Sequence, residues 1–187
     1  MAESVAPPRL ARRYPAESVE LRALPDGRPL LLRPLVPGDA PLLQDFVRGL
    51  SPESRYQRFQ SGLRELSPAL LAALVDVDYA QRMAFVAILY ESRGKRLVGE
   101  ARYAPAVDRP GGAEFALAVA DDWQRHGIGA RLFGKLLRHA AANGIARLHG
   151  DALYHNTAML ALARRHGFTP RHHPEGGRLV RLQTSES

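Results

Sequence analysis

Residues 121–130 read DDWQRHGIGA and stand between an apolar stretch typical of a β-strand and a long amphipathic stretch typical of a helix. The first turn of a helix exposes backbone N–H groups that have no partner, together with the positive end of the helix dipole. Gly127 and Gly129 would let a ligand approach these groups closely, and Arg125 adds a positive charge. The segment therefore predicts a pyrophosphate site built mainly from backbone.

The Gly-x-Gly pair is a weak signal when it is considered alone. It lacks the third glycine of the dinucleotide-binding fingerprint and the Gly-Lys-Ser/Thr end of a P-loop. A helix start that uses two glycines for packing would explain the pair equally well. The elements around the pair are therefore needed to choose between these interpretations.

The elements next to this segment are well defined by their residue pattern. A strand is predicted over Ala113–Ala120 and a helix over Gly127–Asn143. A strand at Arg147–Leu153 follows, and then a short helix that Asn156 caps and Gly167 ends. The apolar face of the long helix consists of Ile128, Leu132, Phe133, Leu136, Leu137, Ala140 and Ala141.

The first half of the chain predicts a strand or hairpin, then three helices, then a second hairpin. Residues 83–90 and 97–104 are apolar and β-prone, and the loop between them suits a hairpin. Two closing strands are predicted at Phe168–Arg171 and Arg178–Leu182. The three helices have N-cap residues or first-turn prolines at Gly38-Asp39, Ser51-Pro52 and Ser67-Pro68.

The composition is that of an ordinary soluble globular protein, with 187 residues of which 45% are apolar and 24% charged. We expect residues 1–18 to form a flexible arm and residues 19–187 to form one domain. No apolar run approaches the roughly 20 residues of a membrane-spanning helix. The first residues also lack a signal-peptide pattern. We therefore expect a cytoplasmic protein without a membrane partner.

The charged and metal-binding residue types exclude several classes of site. The chain has no cysteine, which rules out disulfides, thiolate zinc sites and a cysteine nucleophile. The histidine spacing fits no standard ligand set, so we expect no metal. A net charge of +7 would suit nucleic acid or a polyphosphate cofactor. Because the positive charges are nearly all arginines scattered along the chain, we expect no nucleic-acid partner.

Two motifs in the right order make this chain resemble the GNAT (Gcn5-related) N-acetyltransferases. Residues Gln124–Ala130, between a strand and a long helix, resemble motif A of that family. Asn156, which caps a helix ending in Gly167-Phe168, resembles the second hallmark. The early segment Leu50–Phe59 looks like the branch that contains bacterial protein-lysine acetyltransferases. The resemblance covers residues 19–182, nearly the whole chain.

The resemblance implies the α/β (α+β) GNAT fold and acetyl-CoA as cosubstrate. That fold has a mixed, mostly antiparallel sheet of six to seven strands, flanked by about four helices and splayed at a V-shaped slot. A plain helix cap is the alternative role for Asn156. The implied cofactor-binding residues are Leu117, Ala118 and Val119 for the pantetheine arm, Gln124, Arg125, His126, Gly127, Ile128, Gly129 and Ala130 for the pyrophosphate, and Asn156 for the pantetheine or the thiol.

The catalytic base has two candidates. A primary amine has an unperturbed pKa near 10.4, so its attack on a thioester needs a group that removes a proton. Strand alternation places Glu114 on one face with Ala116 and Ala118, which leave room for a substrate. Relatives in the protein-acetylating branch have a glutamate at this point, which Glu114 matches. An exposed glutamate paired with an arginine is the structural alternative, and Glu100 on the neighbouring strand is the rival base.

One position departs from the family pattern. Many GNAT enzymes have a tyrosine seven residues after the motif asparagine, where it acts as general acid, and that position is Ala163 here. No general acid is therefore assigned.

Asp121 and Asp122 are interpreted as turn and cap residues rather than as catalytic groups.

The predicted function is transfer of an acetyl group from acetyl-CoA to a primary amine by direct attack, with Glu114 as general base and a protein lysine as the expected acceptor. A small-molecule amine is the alternative acceptor. An acyl-CoA-binding sensor without turnover is the alternative to an enzyme. The sequence leaves the oligomeric state open, a homodimer included.

Overall fold

The computed structural model of the chain describes residues 13–92, 94–106, 112–174 and 176–184. Residues 1–12 of the predicted N-terminal arm therefore lie outside the described part. No helix of the described ranges is both long enough and apolar enough to cross a bilayer.

A single sheet organises the described chain. Its strands are β1 (Glu20–Ala23), β2 (Pro29–Pro34), β3 (Met83–Glu91), β4 (Gly94–Pro105), β5 (Gly112–Val119), β6 (Arg147–Leu153), β7 (Phe168–His172) and β8 (Leu179–Thr184). Their order is β1-β2-β3-β4-β5-β6-β8-β7. Neighbouring strands are antiparallel except for β5 and β6, which are parallel. The predicted mixed, mostly antiparallel sheet is confirmed, with eight strands rather than six or seven.

The described chain contains five α-helices at positions that the sequence pattern predicts. They are α1 (Ala40–Gly49), α2 (Pro52–Phe59), α3 (Pro68–Val75), α4 (Ile128–Ala142) and α5 (Thr157–Arg165). The hydroxyl groups of Ser51 and Ser67 accept the backbone N–H groups of Ser54 and Leu70 at the starts of α2 and α3. These side chains cap the helices, because a serine oxygen can take an N–H group that has no partner within the helix.

The helices cover both faces of the sheet. A β-carbon placed on Gly99 of β4 would meet Leu132 and Ile128 of α4, so α4 packs on the face to which Gly99 points. The next residue, Glu100, points to the opposite face and contacts Arg58 of α2. Between the two helix layers, Met83–Leu89 of β3 is buried along its whole length. The core therefore fills both sides of the central strands.

The strands β5 and β6 lie close together where Gly150 meets Phe115. A β-carbon on Gly150 would lie 2.8 Å from the backbone oxygen of Phe115 and 2.8 Å from the Cζ atom of its ring. Phe115 is itself held by ring contacts with Phe133 of α4 and Phe168 of β7, at centroid distances of 5.0 and 5.2 Å. Only glycine leaves room for this approach.

Replacing Gly150 by alanine should lower the free energy of unfolding by about 1–3 kcal/mol, because the added methyl group overpacks the contact with Phe115. Gly134→Ala, inside α4, is the matched control. Its β-carbon would meet the nearest atom, Nη1 of Arg138, at 3.5 Å. Alanine in a helix interior should leave stability unchanged or raise it by about 0.5–1 kcal/mol. Urea unfolding of both variants measures this difference, and equal losses would contradict the close approach.

Candidate active site

The sheet opens between β5 and β6. Their parallel pairing joins Gly112–Glu114 to Arg147–His149 and ends there in the described chain. Beyond this point β5 stays paired with β4 as far as Val119, whereas β6 pairs with β8 as far as Leu153. A cavity of about 500 Å³ lies in the gap. This divergence has the geometry of the predicted slot.

The cavity is lined by four parts of the chain. The α2 wall consists of Ser54, Gln57, Arg58, Phe59 and Gln60. The β5 wall runs from Glu114 to Val119. The loop and first turn of α4 contribute Gln124, Arg125, Gly127, Gly129 and Ala130. The far wall, from β6 and α5, consists of Asp151, Ala152, Asn156, Ala158, Met159 and Leu162.

The N-terminus of α4 faces this cavity and has no side-chain cap. Gly127 occupies the cap position with a φ of 77°, which glycine adopts without steric cost. Arg125 has a φ of 63°, a left-handed conformation that is unfavourable for arginine. Such a turn points successive N–H groups to one side, and the helix dipole adds positive potential there. The loop can therefore hold an anionic group with its backbone.

A carboxylate network fixes the loop to α2. Asp121 accepts hydrogen bonds from the backbone N–H of Ser51 at 2.9 Å, from its hydroxyl at 2.8 Å, and from the Ser54 hydroxyl at 2.7 Å. Burial raises the pKa of Asp121, but these hydrogen bonds outweigh burial and lower it overall. Gln124 extends the network, because its Nε2 donates to Ser54 at 3.3 Å and to the Val119 carbonyl at 3.2 Å. The position of the loop thus depends on α2.

Asn156 has two roles in the structure. Its Oδ1 accepts the backbone N–H of Met159 at 3.0 Å and caps α5. Its Nδ2 donates to Oε1 of Gln57 at 3.2 Å, which links α5 to α2 across the cavity. The predicted cap is present, and the amide nitrogen lies at the cavity wall. Its predicted contact with a cofactor stays a prediction.

The two candidate bases have different surroundings. Glu114 is exposed and lines the cavity. Glu100 is 1% exposed and pairs with Arg102 and Arg58. Burial raises the pKa of Glu100, but the two guanidinium groups outweigh burial and lower it overall. A carboxylate held in this way is a poor proton acceptor, so the geometry favours Glu114.

Some predicted residues lie outside the cavity lining. Ile128 is buried in the core, and the ring of His126 contacts the backbone oxygen of Gln124 at 2.8 Å. Their side chains therefore do not reach the cavity, although their backbone N–H groups belong to the same turn. Ala163 is fully buried, and Tyr154 is 60% exposed and does not line the cavity. No tyrosine thus replaces the missing general acid in the described lining.

Sequence reasoning missed the α2 wall and Asp151. The Ser51-Pro52 signal predicted the helix, but its position beside the cavity depends on contacts between residues far apart in sequence, such as Ser54 and Asp121. Asp151 binds Arg181 at 2.8 Å and His173 at 3.0 Å. Burial raises the pKa of Asp151, and these partners lower it overall.

Comparison with known proteins agrees with this geometry. The family model described as the Acetyltransferase (GNAT) family matches residues 46–168. Acetyltransferase PA5475 of Pseudomonas aeruginosa is 39% identical over 155 residues, which are 83% of this chain and 83% of that protein. These matches and the fold define an acetyl-CoA-dependent N-acyltransferase. The chain belongs to the GNAT acetyltransferase family.

Two further relatives resemble the chain over different shares of their length. Acetyltransferase Pat of Mycolicibacterium smegmatis is 36% identical over 141 residues, which are 75% of this chain but 41% of that protein. The GNAT domain of S. lividans PAT is 27% identical, and the match covers 91% of this chain and 98% of that domain with a TM-score of 0.77. The second similarity confirms the predicted GNAT fold.

Replacing Asp121 by asparagine should destabilise the protein by about 1 kcal/mol at neutral pH. This value is low for hydrogen bonds to a charged group, because solvent screens the partly exposed carboxylate. Its folded pKa is lowered, so the ionised group stabilises the fold above its unfolded pKa of about 3.9. That stabilisation is lost as the pH falls through the folded pKa. The wild-type and variant melting temperatures should therefore converge in acid.

Asp122→Asn is the control for this comparison. The carboxylate of Asp122 forms a surface ion pair with Arg96 at 2.8 Å, and its loss should change stability by less than about 1 kcal/mol. Thermal unfolding between pH 3 and pH 7 measures both variants. Equal effects, or a difference for Asp121 that does not depend on pH, would contradict the anchoring role.

Proposed function

We propose that this chain transfers the acetyl group of acetyl-CoA to the side-chain amine of a protein lysine, with Glu114 as general base. The observation that supports the proposal most is the arrangement of the slot: a backbone anion site at the start of α4 and an exposed carboxylate, Glu114, line one cavity. The first suits a diphosphate, and the second suits a cationic amine.

The residues of the slot fit acetyl-CoA. The uncapped N–H groups at Gly127–Ala130 would hold the pyrophosphate, and Arg125 beside them would add charge. The edge of β5 that faces β6 has no paired strand beyond Glu114 in the described chain, so its backbone groups can bind the pantetheine arm. When bound, acetyl-CoA supplies the thioester carbonyl that the amine attacks.

Glu114 would accept the proton of the amine. A lysine amine is mostly protonated at neutral pH, and only its neutral form is nucleophilic. The exposed carboxylate would first attract the ammonium group and then take a proton, directly or through water. A backbone N–H on the edge of β5 would stabilise the carbonyl oxygen as negative charge develops on it.

A protein lysine as acceptor is supported by the openness of the acceptor end and by the resemblance of Leu50–Phe59 to the protein-acetylating branch. Glu114 and Gln60 are both exposed at the cavity rim. A lysine has a long, thin side chain, so its amine can reach Glu114 while the rest of the protein stays outside. The similarity to relatives named Pat and PAT supports the same branch.

Ala130→Glu should weaken acetyl-CoA binding by about tenfold or more, because a carboxylate in the first turn of α4 repels a pyrophosphate. Ala130 is exposed and lines the cavity. A glutamate near a helix N-terminus is itself stabilising, so a loss of folding cannot explain the result. Ala130→Gln, of the same size and without charge, is the control. Calorimetry measures both affinities, and equal affinities would contradict the proposed pyrophosphate site.

Glu114→Gln should lower kcat by about 10²–10⁴-fold because the amine loses its proton acceptor. Acetyl-CoA affinity should not change, since the carboxylate acts on the acceptor. Glu65→Gln is the control, because Glu65 forms an exposed ion pair with Arg48 and is not part of the cavity lining. Release of free thiol measures turnover. A Glu114→Gln variant as fast as wild type would exclude Glu114 as the base.

The same variant identifies the acceptor. Wild type and Glu114→Gln are each incubated with isotopically labelled acetyl-CoA and a protein extract, and labelled acetyl-lysines are located by mass spectrometry. Sites labelled by wild type alone would support a protein acceptor. Thiol release with a panel of small amines, and not with proteins, would indicate a small-molecule acceptor. Cofactor binding without thiol release in either panel would indicate a sensor.

A further inference from the structure

Arg58 is a buried cation in the wall of the cavity. It lies in the last turn of α2, and its side chain is 9% exposed. Its guanidinium carbon lies 4.6 Å from the centre of the Phe59 ring. Burial lowers the pKa of Arg58, and the attraction of Glu100 only partly offsets this effect. A desolvated cation of this kind is unfavourable unless anions nearby balance it.

The charge of Arg58 is balanced only in part by its neighbours. Glu100 binds Arg102 closely, with Nε at 2.7 Å and Nη2 at 2.6 Å. Nη2 of Arg58 lies 3.4 Å from the other oxygen of Glu100. Nε of Arg58 is buried and has no hydrogen-bond partner within the described residues. Two guanidinium groups therefore share one buried carboxylate.

The other charges that face this region come from both sides of the slot. The carboxylate of Glu114 on β5 attracts the guanidinium group of Arg58 and so favours its charged form. Asp151 on β6 also lines the cavity, with Arg181 bound to its carboxylate. While Glu114 is ionised, it offsets the excess positive charge of Arg58, Arg102 and Glu100. When Glu114 takes up a proton, that offset disappears.

Arg58 and Arg125 occupy different ends of the cavity. Arg125 belongs to the loop at the start of α4. The helix α2 begins beside that loop, where Ser54 contacts Asp121, and Arg58 follows one turn later along the slot. Arg58 is thus the cation of the described lining that lies away from the pyrophosphate end. The described lining contains no tyrosine, histidine or lysine that could act as a general acid.

We propose that Arg58 stabilises the negative charge that acetyl transfer leaves on the sulfur atom, and so replaces a general acid. The inference rests on the proposed function. A lysine ammonium loses two protons on its way to the amide. The first passes through Glu114 to water before the attack. The neutral nitrogen then forms the new N–C bond with its lone pair, and its second proton passes to Glu114. The C–S bond breaks with its electron pair on sulfur, which leaves as a thiolate. Water later protonates the thiolate, and Glu114 returns its proton to water.

The timing of the proton transfer makes this role effective. Protonation of Glu114 removes a negative charge at the stage when sulfur gains one. The net positive charge of Arg58, Arg102 and Glu100 is then balanced by the thiolate instead of by Glu114. Because the cluster is buried, solvent screens this interaction weakly. A thiol has a pKa near 8.5, so a modest stabilisation makes the thiolate an adequate leaving group at neutral pH.

The test compares the binding of coenzyme A with that of desulfo-coenzyme A, which lacks the thiol, from pH 7 to pH 9.5. The full-length protein is used, and calorimetry gives both affinities. If Arg58 favours the thiolate, the preference for coenzyme A rises with pH. The rise should reach about tenfold in Glu114→Gln, which has the charge of protonated Glu114, and should be smaller in wild type. This readout does not depend on turnover.

Arg58→Met and Arg102→Met are the matched variants. Both arginines bind Glu100, but Arg58 lines the cavity and Arg102 does not. Arg58→Met should abolish the rise in preference with pH, whereas Arg102→Met and the charge-conserving Arg58→Lys should retain it. In turnover, Arg58→Met should lower kcat by about tenfold or more with little change in the KM for acetyl-CoA.

The outcomes separate this inference from the proposed function. If the protein binds neither coenzyme A nor desulfo-coenzyme A, both the proposed function and the role of Arg58 are overturned. If the preference for coenzyme A over desulfo-coenzyme A does not change with pH in wild type or in Glu114→Gln, the role of Arg58 alone is overturned. That result needs no Arg58 variant to fold. Equal effects of Arg58→Met and Arg102→Met would also overturn it, because they would show a purely structural role in balancing Glu100.

Discussion

The close approach of β5 and β6 at Phe115 and Gly150 is the constraint on which the site depends. Below this point the strands pair in parallel, and beyond it they separate. The ring of Phe115 contacts Phe133 and Phe168, so the base of the slot is held by packing from α4 and β7. Because protein cores are close-packed, the packed ring of Phe115 resists displacement. The slot is therefore built into the sheet, and the start of α4 is directed toward it.

The second wall of the slot is held by polar contacts as well as by the packing of Phe59 against the core. The start of α2 is fixed to the loop before α4 through Asp121, and its last turns reach Asn156 through Gln57. Hydrogen bonds to a carboxylate depend on direction and charge, so they fix the position of α2 relative to the loop. One short helix thus connects the end of the slot that suits a pyrophosphate with the end that suits an acceptor amine.

Much of the fold could be predicted from local patterns, because α4 has a clear helical period and Asn156 and Ser51 are ordinary caps. The uncapped glycine turn at the start of α4 could be predicted for the same reason, since glycines before a helix form a local motif. Glu114 is preferred to Glu100 because of its alanine neighbours and the family resemblance, since no local pattern separates two glutamates that the strand register places on one face of the sheet. Burial of Glu100 with Arg102 and Arg58 distinguishes them, and the pairing of Glu100 with Arg58, 42 residues apart in sequence, leaves no local signal.

The charges of the slot follow a consistent arrangement under the proposed function. At one end, backbone N–H groups and Arg125 would face a diphosphate, and at the other, Glu114 would face a cationic amine. The reaction moves a positive charge from the amine to Glu114 as a proton and moves a negative charge to sulfur. A buried cation beside Glu114 suits this exchange, because the positive charge it contributes loses one anionic partner as it gains another. Arg58 occupies that position in a chain that has Ala163 where many GNAT enzymes have a tyrosine, so a buried cation would take the place of a proton donor.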